Sequence, residues 1–176
     1  MGNSKQYLLK ESNINLSSLQ LFRKALDLGK RLSPEEEEAV ISKSYLIAKR
    51  YAQDIIKGRW PEFEKQLIKN LDYNLVYYVR DVIKDRWPEI EPLLSGQTLE
   101  AYLSTFPVDR REEIQENIIR HDPALIKNFV YTSKRLQQLA IDLGGKRILL
   151  LIKSLHPEIK AKYPEIINLK RSGLFR

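Results

Sequence analysis

The stretch "KGRWPEFE", Lys57 to Glu64, returns 27 residues later as "KDRWPEIE", Lys84 to Glu91, and these near-copies hold both tryptophans of the 176-residue chain. The same frame 27 residues earlier reads "RLSPEEE", Arg31 to Glu37, so Pro34, Pro61 and Pro88 stand in register, each followed by a glutamate. Before the turn, Ala48, Tyr51, Ala52, Ile55 and Ile56 recur at spacings of three and four, and the next copy gives Leu75, Tyr78, Val79, Val82 and Ile83 in the same frame. That spacing is one apolar stripe on a helix. Gly58 then falls where a helix C-terminus favours a residue tolerant of left-handed backbone, and Pro61 falls where a new helix begins. Each period therefore reads as two short helices and a bend.

Acidic residues after the proline suit the positive end of the new helix: Glu62 and Glu64 in one copy, and "EEEE" at 35–38 in the other, read as solvated charge. "SPEE" offers a capping box, with Ser33 as cap and Glu36 as its reciprocal partner. Trp60 and Trp87 occupy the cap position, where they lack the oxygen a cap needs, so they are expected to serve by area, wedged between successive helices.

Fainter copies extend the frame. "DRREEIQ" (109–115) reads as a decayed fourth turn, "LIKSLHPEI" (151–159) aligns with "VIKDRWPEI" (82–90), and "ALDLGKRL" (25–32) resembles "AIDLGGKRI" (140–148). His156 takes the place of Trp in the later copy. The segment 97–106 predicts a helix begun at Thr98, 109–120 another, and 122–145 the longest, closed by Gly144 and Gly145. Residues 146–155 carry five consecutive apolar residues, Ile148 to Ile152, and read as a buried helix; 157–173 reads as one or two short proline-started helices. The expectation is an all-α, α-solenoid-like stack of about eight to ten short helices in a single domain over 1–176, with the repeats clearest over 20–95.

The two full copies, "YAQDIIKGRWPEFE" and "YVRDVIKDRWPEIE", resemble a short helical repeat, roughly "YA..VI.GRWPEAE", found in open reading frames of bacteriophages and bacteria. Arg59, Trp60, Pro61, Glu62 and Glu64 carry the likeness, matched by Arg86, Trp87, Pro88, Glu89 and Glu91; Leu32 and Ser33 depart from it. The resemblance implies an α-helical stack and a phage-type setting. It transfers no catalytic residue.

Composition narrows the chemistry. With no cysteine, disulfides, thiol catalysis and cysteine-held metals are excluded, and an intracellular, cytoplasmic protein is expected. No apolar run is long enough to span a bilayer, and "MGNSKQ" has Gln6 where a myristoylation signal wants Ser or Thr. His121 and His156 are too far apart in sequence for a metal motif and read as capping or turn residues, and neither a phosphate loop nor a nucleophile elbow is present. No enzymatic activity, cofactor or metal is expected.

Two binding readings follow. Repeat proteins carry specificity where equivalent positions differ, and the outward positions of the first repeat helix, Leu46 and Arg50, become Tyr73 and Tyr77 in the second. These four residues form a candidate surface for a protein partner, unless an adjoining helix within residues 7–22 covers the tyrosines. The alternative uses charge. Residues 120–176 hold 12 Lys/Arg against 4 Asp/Glu, and Lys146, Arg147, Lys153, Lys160, Lys162, Lys170 and Arg171 are candidates for contact with nucleic acid or an acidic partner.

Overall fold

Ser17 and Ser33 start two helices by one device. Each serine side chain accepts the backbone N–H three residues on, while Gln20 and Glu36 return a side-chain oxygen to the N–H of the cap. The computed structural model describes residues 16–164, and every regular element among them is helical. The all-α expectation holds.

Two compact units divide the chain, residues 1–85 and 86–176. The first contains α1 (Ser18–Leu28), α2 (Pro34–Lys43), α3 (Tyr45–Tyr51), α4 (Pro61–Asn70) and α5 (Tyr73–Tyr78). The second contains α6 (Gly96–Ser104), α7 (Val108–His121), α8 (Lys134–Gly144) and α9 (Pro157–Lys162). No helix among the described residues is long and apolar enough to cross a membrane.

α3 and α5 repeat each other in detail. Ala48, Tyr51 and Ala52 are buried, as are their counterparts Leu75, Tyr78 and Val79, and the stripe fades in step at Ile55–Ile56 and Val82–Ile83. Both helices widen at their ends into π-helical turns, Ala52–Ile56 and Val79–Ile83. The reversal then falls on Lys57 and Lys84, at φ 59° and 57°. Gly58, expected to take the left-handed position, lies outside that region. The cause is the wider ladder: the Lys57 N–H bonds to Ala52 O, five residues back, and the residue completing that bond is the one that turns. The second copy has Asp85 where the first has Gly58, so a conformation shared by both copies does not rest on glycine.

Trp60 is fully buried and Trp87 nearly so, in keeping with their expected packing role. Trp60 lies against Tyr51 and Phe63, with ring centroids 5.0 and 5.7 Å apart. α4 begins at Pro61 as expected. After Pro88, however, no α-helix forms, and only a 3-10 turn spans Glu91–Leu93. Pro92 explains the difference, because within an α-helix its ring would meet the Pro88 carbonyl and its nitrogen has no hydrogen to give. The Asn117 side chain donates to that carbonyl instead, at 3.0 Å.

Other sequence boundaries are corrected. α6 starts at Gly96 rather than Thr98, after Ser95. "DRREEIQ" is helix interior within α7 and makes no bend. The single long helix expected over 122–145 is two elements, a 3-10 helix Pro123–Asn128 and α8, because Ser133 supplies a new cap, accepting the Leu136 N–H, in the middle of the apolar pattern. The buried helix expected at 146–155 is buried at Ile148, Leu149 and Ile152, but it is a 3-10 turn over Lys146–Leu150. Gly144 permits that sharp reversal: a Cβ there would sit 2.6 Å from the Ile148 side chain.

Candidate functional site

Three polar latches hold the bends. In the second, the Arg59 guanidinium donates through Nε and Nη2 to the two oxygens of Glu64, at 2.9 and 2.8 Å. The Tyr78 hydroxyl donates to Glu64 Oε1 at 3.1 Å and accepts the Trp60 N–H at 2.7 Å. Arg86, Glu91, Tyr102 and the Trp87 N–H repeat this arrangement at 2.9, 2.8, 3.2 and 2.8 Å. Arg31, Glu37, Tyr51 and the Leu32 N–H form the first latch in chain order. In that copy Leu32, not Ser33, does the work of Trp60, one residue out of the 27-residue frame.

The latch glutamates are buried, Glu37 among them. "EEEE" is therefore not wholly solvated: Glu37 belongs to a latch, and Glu36 binds Lys24 and the Ser33 N–H. Burial pushes the hydroxyls of Tyr51, Tyr78 and Tyr102 well above the ordinary phenol range, so each remains a donor to its carboxylate. Sequence reasoning placed Tyr51 and Tyr78 in the apolar stripe and Glu37 and Glu64 at helix starts without pairing them. The signal was present in the joint recurrence of Arg, Glu and Tyr.

Tyr78 fixes the rotation of α5 about its axis, which sets the opposite side outward. There Leu46, Tyr73 and Tyr77 are 59%, 45% and 41% exposed, and Arg50 is exposed as well. α1 does not bury either tyrosine; the remainder of the segment expected to cover them, before residue 16, lies outside the described residues. α3 and α5 lie side by side. The Tyr45 hydroxyl donates to Asn74 O at 2.5 Å, Lys49 Nζ to Asp81 Oδ2 at 2.5 Å, and Gln53 Nε2 to Asp81 O at 3.2 Å.

This packing brings two cations to Tyr77 that sequence reasoning did not select. Lys49 Nζ lies 5.9 Å and Arg80 Cζ 5.0 Å from the centroid of its ring. Hydrogen bonds from Arg80 and Lys49 hold the Asp81 carboxyl down at about 2, so the clamp on both cations stays charged through the neutral range. Tyr77 is thus an exposed aromatic in a fixed setting.

In the second unit, Lys146, Arg147, Lys153, Lys160 and Lys162 are all exposed. Lys170 and Arg171 lie outside the described residues. Three other cations of this third are paired: Lys134 with Glu158, Arg135 with Glu112 and Glu116, and Arg120 with Glu116. His156 caps α9, its Nδ1 accepting the Glu158 N–H, and its own N–H is accepted by Gln137 Oε1 at 2.9 Å. It therefore holds the place of Trp60 in backbone terms, with a glutamine where the latches use tyrosine. His121 ends α7. No group of three His, Asp or Glu residues able to hold a metal ion occurs among the described residues. No protein-family model, curated protein or solved structure matches the chain.

Proposed function

We propose that this chain is a non-enzymatic helical-repeat binding protein that docks a protein partner across the outward face of α3 and α5. The observation that carries the reading is the pair Tyr73 and Tyr77, open on the face that the Tyr78 latch turns outward, with Leu46 and Arg50 at the equivalent positions of α3. Aromatic residues held rigid lose little entropy when a partner covers them, which is why they dominate binding energies. Lys49 and Arg80 hold Tyr77 in this way. The likeness of the bends to a repeat of phage reading frames extends the proposal to an accessory protein of the host cytoplasm that occludes a host protein, a defence component included.

Affinity capture with the tagged chain and with a Tyr73→Ala/Tyr77→Ala variant, read by quantitative mass spectrometry, tests this. A partner retained by the parent chain and depleted at least about tenfold by the variant is the expected result. Equal recovery by both would overturn the assignment of the surface. Loss of the candidate partner's activity on titration with the purified chain would then establish occlusion.

A further inference from the structure

We infer that the second unit carries a separate site for the phosphate backbone of nucleic acid, formed by Lys146, Arg147, Lys153, Lys160 and Lys162 around Tyr163. Convergence is the first observation. Lys146 and Lys162 come from opposite ends of the segment, yet their ammonium groups lie 5.7 and 5.4 Å from the centroid of one ring, that of Tyr163. Two cations held at one aromatic raise the local positive potential instead of dispersing it.

The second observation concerns four of the five cations. Arg147, Lys153, Lys160 and Lys162 are exposed and make no ion pair among the described residues. Two acidic residues of this part of the chain are engaged elsewhere: Glu158 with Lys134, and Asp142 with the Gln138 side chain. The Lys134 bond holds the Glu158 carboxyl below its ordinary range.

The third observation is rigidity. Ile148, Leu149, Ile152, Leu155 and Ile159 are buried between the exposed cations, so the segment is anchored at short intervals. Gln137 ties its middle down, donating to Ser154 O at 2.8 Å and accepting the His156 N–H. The cations thus project from a fixed support, and the counterions they collect would be released when phosphates replace them. Exposed cations around one half-exposed aromatic suit contact with phosphates, without base-edge readout.

The test is fluorescence anisotropy with a labelled, mixed-sequence single strand of about 20 nucleotides, titrated between about 50 and 200 mM KCl. Three to five phosphate contacts predict an affinity loss of about tenfold to a hundredfold over that range. Lys146→Glu/Arg147→Glu/Lys153→Glu should lower the affinity at least about tenfold and reduce the salt slope by about two. Arg23→Glu/Lys65→Glu/Lys69→Glu, which makes the same change of net charge in the first unit, should leave both nearly unchanged. Arg147→Gln/Lys153→Gln/Lys160→Gln keeps the test open should the first variant lose its helical circular dichroism. No binding at the lowest salt, equal loss in both charge-reversed variants, or displacement of the strand by polyglutamate at equal charge would each overturn the assignment.

Discussion

Glu64 and Glu91 each hold one arginine and one tyrosine, in different surroundings. Glu64 is paired with an arginine whose side chain is 48% exposed, whereas the side chain of Glu91 is fully enclosed and its Arg86 only 16% exposed. Glu91 also accepts from Asn117 Nδ2 at 2.8 Å. The bend above Glu64 leads into α4, while the bend above Glu91 leads into a 3-10 turn. The latch therefore does not depend on the helix after the proline. It needs an arginine, a glutamate five or six residues later and a tyrosine from a later helix, which comes 18 residues after Trp60 but 15 after Trp87.

The largest expected effect breaks this comparison directly. Glu91→Ala leaves Arg86 with Glu113, Asn117 with the Pro88 carbonyl and Tyr102 without its acceptor, and a loss of about 3 kcal/mol is expected, the low end for a buried ion pair deprived of one partner. Glu64→Ala should cost about 1–3 kcal/mol, because Arg59 regains water. Urea unfolding of the two variants measures the difference. Equal losses would mean that enclosure of the arginine contributes nothing.

Next come the hydroxyls. Tyr78→Phe removes the acceptor for the Trp60 N–H and a donor to Glu64; Tyr102→Phe does the same at Trp87 and Glu91. Each should cost about 1–3 kcal/mol, with Tyr102→Phe the smaller because Asn117 still serves Glu91. The same groups set an alkaline limit. Their folded pKa lies above the unfolded value, so ionisation is disfavoured in the folded state; their stabilisation is complete below about pH 10 and declines as pH rises further. Tyrosinate absorbance from Tyr51, Tyr78 and Tyr102 should accordingly appear together with loss of helical circular dichroism. Ionisation of all three ahead of any unfolding would show the latches to be open to solvent.

How much of this was legible in the sequence follows from the range of each interaction. The repeat helices α3 and α5, the bends at Pro34 and Pro61, the Ser33 capping box and the burial of both tryptophans follow from spacing and local chemistry, and all are present. The failure after Pro88 was also local, since Pro92 stands in plain view four residues on. The latches were not legible in the same way, because pairing Glu64 with Tyr78 requires knowing that α4 and α5 meet. For the candidate surface, Tyr73 and Tyr77 emerged from comparing equivalent positions, whereas Lys49 and Arg80 required the side-by-side packing of α3 and α5. Lys146 and Lys162 were marked by charge alone; their convergence on Tyr163 is a product of the fold.

The smallest expected effects compare the two π-helical turns and change sign with the answer. Lys57 and Lys84 carry a left-handed backbone that a side chain disfavours, so Lys57→Gly and Lys84→Gly should each stabilise by about 0.5–1 kcal/mol. Gly58 has ordinary backbone, and a Cβ placed on it meets nothing within 4 Å. Gly58→Ala should therefore also stabilise, by about 0.4–1 kcal/mol, through a less disordered unfolded chain. Were the reversal at Gly58, as spacing alone suggests, alanine there would destabilise and Lys57→Gly would have no strain to relieve. Thermal unfolding of the two single variants decides between a helix that ends on its glycine and one that widens and turns a residue sooner, and Lys84→Gly extends the answer to the copy in which Asp85 replaces that glycine.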